Sequence, residues 1–263
     1  MKGISHTDNY IIKDRVEEEI VLHKQLDIRD IKNLDKRLIE VWKGDSIIAE
    51  QFRILRTYIL KAVKNNASKV FLVSSAINCE GKTLTATNLA ISIARGLDES
   101  VLLIDADLRK PNVSSILGIE KGKKGLAEYL IDGGDYINYM TKTSIPKLTL
   151  IPSGLPPHNP SELISSKHML NLIKQIKNQF DNHIVIIDSP PLIPVTDSII
   201  LSSLVDAIIV VIKAFETQRE IVNEAIDKIA NKGKILGLIL NGCEFSKSRY
   251  HYYYQYIKKD KKN

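Results

Sequence analysis

Val70-Phe71-Leu72-Val73 runs into Ser74-Ser75-Ala76-Ile77-Asn78-Cys79-Glu80-Gly81-Lys82-Thr83, and apolar residues resume at Ala86, Leu89, Ala90, Ile93 and Ala94. The opening run reads as a strand and the last set has helical spacing, so the segment is strand, loop, helix. Backbone N–H groups of such a loop and of the first helical turn converge on an anion, and the helix dipole adds to the attraction. On this reading Lys82 reaches the β- and γ-phosphates of a nucleotide and the Thr83 hydroxyl sits on Mg²⁺. The strict pattern G-x-x-x-x-G-K-[ST] is broken at its first position, where Ala76 stands. A bare Gly-Lys-Thr also occurs in ordinary surface turns. The apolar flanks decide for the phosphate loop.

A chain of 263 residues with 44% hydrophobic and 26% charged content suits one large α/β domain with appended arms, and excludes a disordered chain. No apolar run approaches the roughly 20 residues that cross a bilayer, and Met1 to Asp8 lacks a signal-peptide core, so a cytoplasmic protein is expected. The two cysteines, Cys79 and Cys243, make neither a disulfide framework nor a metal cluster. The formal charge is +6, and residues 244–263 hold six basic against two acidic residues, a net of +4. Such a tail suits nucleic acid or anionic lipid, or is a solvated chain end.

Residues 1–45 mix acids and bases without visible chemistry and read as an N-terminal arm. A helix is predicted from Ile47 to Val63; it carries Glu50-x-x-Arg53-x-x-Arg56, which on spacing alone is a solvated face with an intrahelical pair. Val101-Leu102-Leu103-Ile104 then delivers Asp105, Asp107 and Arg109 at the carboxyl end of a strand, the end at which open parallel sheets bind ligands. Paired acids there suit Mg²⁺, and one of them suits accepting a proton from an attacking hydroxyl. Helices are expected near Gly125 to Leu130 and from Ser161, with Ser161 as cap. Ile184-Val185-Ile186-Ile187 ends in Asp188, where phosphate-loop NTPases place the acid that orders Mg²⁺ or its water. Residues 207–212 and 235–241 read as buried strands around a helix from Ile221 to Ala230. This alternation implies a phosphate-loop-type, three-layer α/β fold, a mostly parallel central sheet with helices on both faces. Tyr250, Tyr252, Tyr253, Tyr254 and Tyr256 crowd a lysine-rich end, as a stacking tail or as a set of phosphoryl acceptors.

From about Ile47 onward the sequence resembles the bacterial tyrosine kinases of capsule and exopolysaccharide synthesis, in the form typical of Firmicutes. The marks are Glu80-Gly81-Lys82-Thr83, the run Leu102 to Arg109, the stretch Pro157 to Ile164, Ile186 to Pro191 and the terminal tyrosines. The resemblance implies an ATP- and Mg²⁺-dependent protein-tyrosine kinase that phosphorylates its own C-terminal tyrosines in trans. It divides the chain into the arm, a kinase domain over 46–245 and a tail over 246–263. It implies Asn78, Cys79, Glu80, Gly81, Lys82, Thr83 and Leu84 around the nucleotide, with Thr83, Asp107 and Asp188 organising Mg²⁺. Asp105 is then the proton acceptor, and Arg109 neutralises charge or orients the acids. Glu50, Arg53 and Arg56 move to a subunit interface in a ring. A membrane-spanning co-polymerase-type adaptor, a cognate tyrosine phosphatase and a place at the inner face of the plasma membrane complete the picture, with no specific nucleic acid.

Asn78-Cys79 stands where the family usually has Pro-Gly, which restricts the loop backbone. Oxidation or alkylation of Cys79 is accordingly expected to block ATP. Two further readings are carried forward. One is a septum-positioning or chromosome-partitioning ATPase, against which stands the lack of a lysine in Ser74 to Ile77. The other is a non-catalytic nucleotide-binding scaffold for the adaptor.

Overall fold

The computed structural model describes residues 34–44, 46–66, 69–120, 122–179, 183–229 and 235–243. The five tail tyrosines and the first 33 residues lie outside them. Among the described residues seven strands form one sheet in the order β3-β4-β2-β5-β1-β6-β7. They are β1 (Val70–Ser75), β2 (Ser100–Asp105), β3 (Thr141–Lys142), β4 (Leu148–Ile151), β5 (His183–Asp188), β6 (Ala207–Lys213) and β7 (Ile235–Asn241). All neighbours are parallel except β3 against β4.

Helices cover both faces. Alternate residues of each central strand enter different cores: Phe71 and Val73 face one, Val70 and Leu72 the other. On the first face lie α1 (Lys36–Lys43), α2 (Ile47–Asn66), α3 (Lys82–Ala94) and α4 (Val113–Ile116). On the second lie α5 (Leu126–Asp132), α6 (Pro160–Ile164), α7 (Lys167–Gln179), α8 (Asp197–Leu204) and α9 (Arg219–Ile229). A strand buried on both faces has no solvated side, which is why β1, β2 and β5 read as unbroken apolar runs. Leu34, Leu38 and Val41 are buried in the first core, although they fall in the stretch read as an arm. Their spacing is helical, but the flanking charges mask it.

Two sequence expectations fail here. The stretch 235–241 is a strand but not a buried one: β7 is the sheet edge, with Leu236, Leu238 and Leu240 at 40%, 49% and 60% exposure. A run of leucines carries no signal for which strand ends up outermost. Ser161 is not a cap either. Its helix starts at Pro160 after Asn159, and its hydroxyl donates to Asp197 Oδ1 at 2.5 Å.

Acid sensitivity has an identifiable contributor. Burial lowers the His183 imidazole at the start of β5 from 6.5 to about 4. The fold therefore favours the neutral ring, so this stabilisation is complete above pH 6.5 and is lost as pH falls toward about 4. The gap is worth at most roughly 3 kcal/mol. His183→Gln is expected to flatten stability between pH 7 and 4.5, read as the urea midpoint; a variant as acid-sensitive as the parent would refute it.

Candidate active site

The register of the sheet builds the site. Asp188 at the end of β5 pairs with Asp105 of β2 on one side and Val73 of β1 on the other. The chain leaving β1 crosses this end of the sheet as residues 76–81 and enters α3 at Lys82. Gly81 precedes the helix at φ +91 and no side chain caps it. The first-turn N–H groups of α3 thus lack the side-chain acceptor that helix N-termini normally recruit, which suits an anion.

Lys82 and Asp107 form an ion pair, Nζ to Oδ2 at 2.7 Å, with side chains only 12% and 5% exposed. Burial pulls the Lys82 ammonium down, but Asp188 and then Asp107 outweigh it and hold the group above its ordinary range. Nζ also lies 3.3 Å from Thr83 Oγ1. Asp105 is fully buried; its oxygens accept from Asp107 N–H at 3.3 Å and Val113 N–H at 3.1 Å. Burial, then the Asp188 charge, pushes its carboxyl well above the usual carboxylate range.

Asp188 is the informative residue. It is fully buried, and among the described residues neither carboxylate oxygen has a hydrogen-bond partner of normal geometry. Burial raises it to about 6, opposed by Lys82 and by the nearby Thr83 hydroxyl. Orphaned buried carboxylate oxygens are expensive and call for a missing partner. Among the described residues no three His, Cys, Asp or Glu side chains form a ready metal cage. A hard cation that keeps waters and phosphate oxygens needs no such cage, and the Thr83, Asp107 and Asp188 oxygens fit Mg²⁺ on those terms.

Asn78 and Cys79 are exposed on the loop, whereas Glu80 is buried and turned away from solvent. Cys79 has φ +66, so the backbone keeps a left-handed turn at the position where the family resemblance expects glycine. A side chain there costs on the order of 1 kcal/mol. Cys79→Gly is expected to raise stability by about 0.5–1 kcal/mol, glycine's greater unfolded freedom taking back part of the gain. Alkylation is expected to block nucleotide binding by the parent and not by this variant, in which Cys243 remains as the control thiol. Equal sensitivity of both proteins would refute this.

Other expected site residues lie elsewhere. Arg109 does not bond to the acid cluster: its Nε donates to Asp197 Oδ2 at 2.9 Å and its Nη2 to Ser161 Oγ at 2.8 Å. Asp197 is fully buried at the start of α8 and captures the guanidinium, so Arg109 ties the loop after β2 to α6 and α8. Nothing in local spacing announced Asp197. Arg53 pairs with Glu50 and donates to the Gly44 carbonyl at 2.8 Å, while Arg56 donates to the Ser92 carbonyl at 2.8 Å, in the last turn of α3. Within the chain these arginines fasten α2 to its neighbours. A cavity of about 430 Å³ lies away from this chemistry, between α2 and the β6–β7 edge, lined by Leu55, Tyr58, Ala62 and Leu238 among others.

The AAA domain family matches residues 68–234. The chain is 36% identical over 214 residues to the tyrosine-protein kinase CpsD of Streptococcus agalactiae, covering 81% of this chain and 91% of that protein. It is 36% identical over 222 residues to the tyrosine-protein kinase YwqD of Bacillus subtilis, covering 84% and 92%. Among solved structures it is similar to the kinase domain of the Escherichia coli tyrosine kinase ETK, with TM-score 0.74, 26% identity and coverage of 86% and 84%.

Proposed function

This chain belongs to the AAA-domain family of bacterial tyrosine-protein kinases, and from that premise we propose that it transfers the γ-phosphoryl group of Mg-ATP to tyrosines of its own C-terminal tail. The observation that carries the reading is the buried pairing of Lys82 with Asp107 beside an Asp188 whose oxygens lack a hydrogen-bond partner of normal geometry among the described residues. Phosphoryl transfer asks the protein mainly for positioning and charge, and this cluster offers both.

Mg-ATP, when bound, supplies the phosphoryl group and the cation that offsets its charge. Lys82 and the N–H groups of the loop and of the first turn of α3 hold the phosphates. Thr83, Asp107 and Asp188 hold the cation. Asp105 takes the phenolic proton; because it is fully buried, the site has to open for the acceptor. Acceptors are drawn from Tyr250, Tyr252, Tyr253, Tyr254 and Tyr256 of a neighbouring copy in a ring, with Glu50, Arg53 and Arg56 at the contact. A separate membrane-spanning adaptor, as the family resemblance implies, brings the kinase to the inner membrane face. Each phosphorylated tyrosine adds nearly two negative charges, which loosens the ring until a phosphatase resets it. The cycle serves capsule or exopolysaccharide synthesis.

Phosphosite mapping by mass spectrometry tests this, on purified full-length protein given Mg-ATP with and without the adaptor's cytoplasmic segment. Phosphotyrosine within residues 250–256 supports the kinase. Steady ATP hydrolysis without phosphotyrosine moves the assignment to a positioning-type ATPase. Neither activity leaves a scaffold.

A further inference from the structure

Glu80 lies in the phosphate loop, yet the residue is only 1% exposed. Oε2 accepts the Ile77 N–H at 2.7 Å, inside the loop. Oε1 accepts the Thr217 hydroxyl at 2.5 Å, from the turn that follows β6, and the N–H of Lys213, the last residue of β6, at 3.2 Å. The Glu80 carbonyl accepts Asn241 Nδ2 at 2.8 Å, and the Asn241 carbonyl accepts the Ala214 N–H at 2.8 Å. The turn is closed by the Thr217 N–H on the Lys213 carbonyl at 3.1 Å. It is therefore clamped to the phosphate loop on one side and to the end of β7 on the other.

At the tip of this turn stands Phe215, with φ +64 and 91% of its surface exposed. An exposed apolar residue alone is ordinary. A bulky aromatic in the left-handed region is a genuine outlier, and such strain persists where the surroundings over-determine the backbone. The Glu80 clamp provides that. The structure thus holds an exposed ring in a costly conformation, against the loop that holds phosphates.

Strand order says which part of a nucleotide would meet it. Lys82 leaves the loop beyond β1, and the acids stand on β2 and β5, to one side of it. Phe215 and Asn241 stand at the ends of β6 and β7, to the other side. A nucleotide whose terminal phosphate lies toward the acids has its base toward β6 and β7. We propose that the turn Lys213–Thr217, clamped to the phosphate loop through Glu80, is a base platform on which Phe215 stacks the purine. The proposal rests on reading the Lys82 loop as a nucleotide site.

Calorimetric titration of full-length parent, Phe215→Ala and Phe215→Trp with Mg-ATP, Mg-ADP and magnesium tripolyphosphate tests it, without recourse to kinase activity. Phe215→Ala is expected to bind ATP and ADP about 10-fold more weakly, the usual order for losing one stacked base, with tripolyphosphate unchanged. Phe215→Trp is expected to restore the affinity. Parental ATP affinity in Phe215→Ala, equal losses for ATP and tripolyphosphate, or no rescue by tryptophan would overturn the platform. A parent that prefers ATP to tripolyphosphate yet makes no phosphotyrosine would overturn the kinase reading and leave the platform standing.

Discussion

Lys82→Met is expected to carry no phosphotyrosine after incubation with Mg-ATP, a fall of at least about 10³-fold in transfer rate. The size follows from what surrounds the ammonium. Lys82 sits 2.7 Å from Asp107 and is held charged by Asp188 and Asp107 against its own desolvation. Removing it takes away the cation that faces the transferred group and leaves the carboxylates of Asp105, Asp107 and Asp188 to repel both one another and any phosphate. Breaking a buried pair from one side is also destabilising, by roughly 3–5 kcal/mol when the remaining charge has no outlet. Here an outlet exists, because Asp105 and Asp188 already lie above the usual carboxylate range and take up protons in acid. The variant should therefore melt much lower than the parent at pH 8 and only slightly lower at pH 5.5. Thermal melts at the two pH values and tail phosphosite mapping read both effects. Parental phosphorylation in the variant would remove Lys82 from the site.

Asp188→Asn should divide function from stability. Burial raises this carboxyl from 3.8 to about 6, so the nucleotide-free fold prefers it protonated. Its destabilising contribution is absent below pH 3.8, grows as pH rises through about 6 and is full above that. The gap is worth on the order of 3 kcal/mol, and at neutral pH the amide avoids it. Nucleotide-free Asp188→Asn is thus expected to be the more stable protein at pH 7.5 and no more stable at pH 3.5. Magnesium-dependent nucleotide affinity should fall by about 100-fold or more, since an amide replaces a charged oxygen ligand. Calorimetry with and without magnesium, beside urea titrations, measures the two halves. A variant less stable than the parent at pH 7.5 would mean that the orphaned carboxylate is not strained. Active sites commonly keep such groups at a cost in stability.

Much of the site was legible because its chemistry is local. Glu80-Gly81-Lys82-Thr83, Asp105, Asp107 and Asp188 each follow an apolar run, and a strand end followed by a polar residue is visible in one dimension. Arg109 was found but its partner was not: Asp197 is 88 residues further along the chain and precedes an unremarkable helix. Thr217 and Asn241 meet Glu80 across 137 and 161 residues, and no window of sequence contains both ends of those bonds.

The sequence by itself determined the alternation of strands and helices, hence a parallel sheet wrapped on both faces, and the identity of the lysine and acids at its carboxyl edge. Hydrophobic periodicity and strand-end chemistry act over a few residues, so they are written in order along the chain. Only the tertiary structure decided which strand became the open edge, which charge captured Arg109, and how Glu80 fastened the turn bearing Phe215 to the phosphate loop. Those outcomes depend on distances between residues far apart in sequence, set when the two cores pack and each buried polar group has to find a partner.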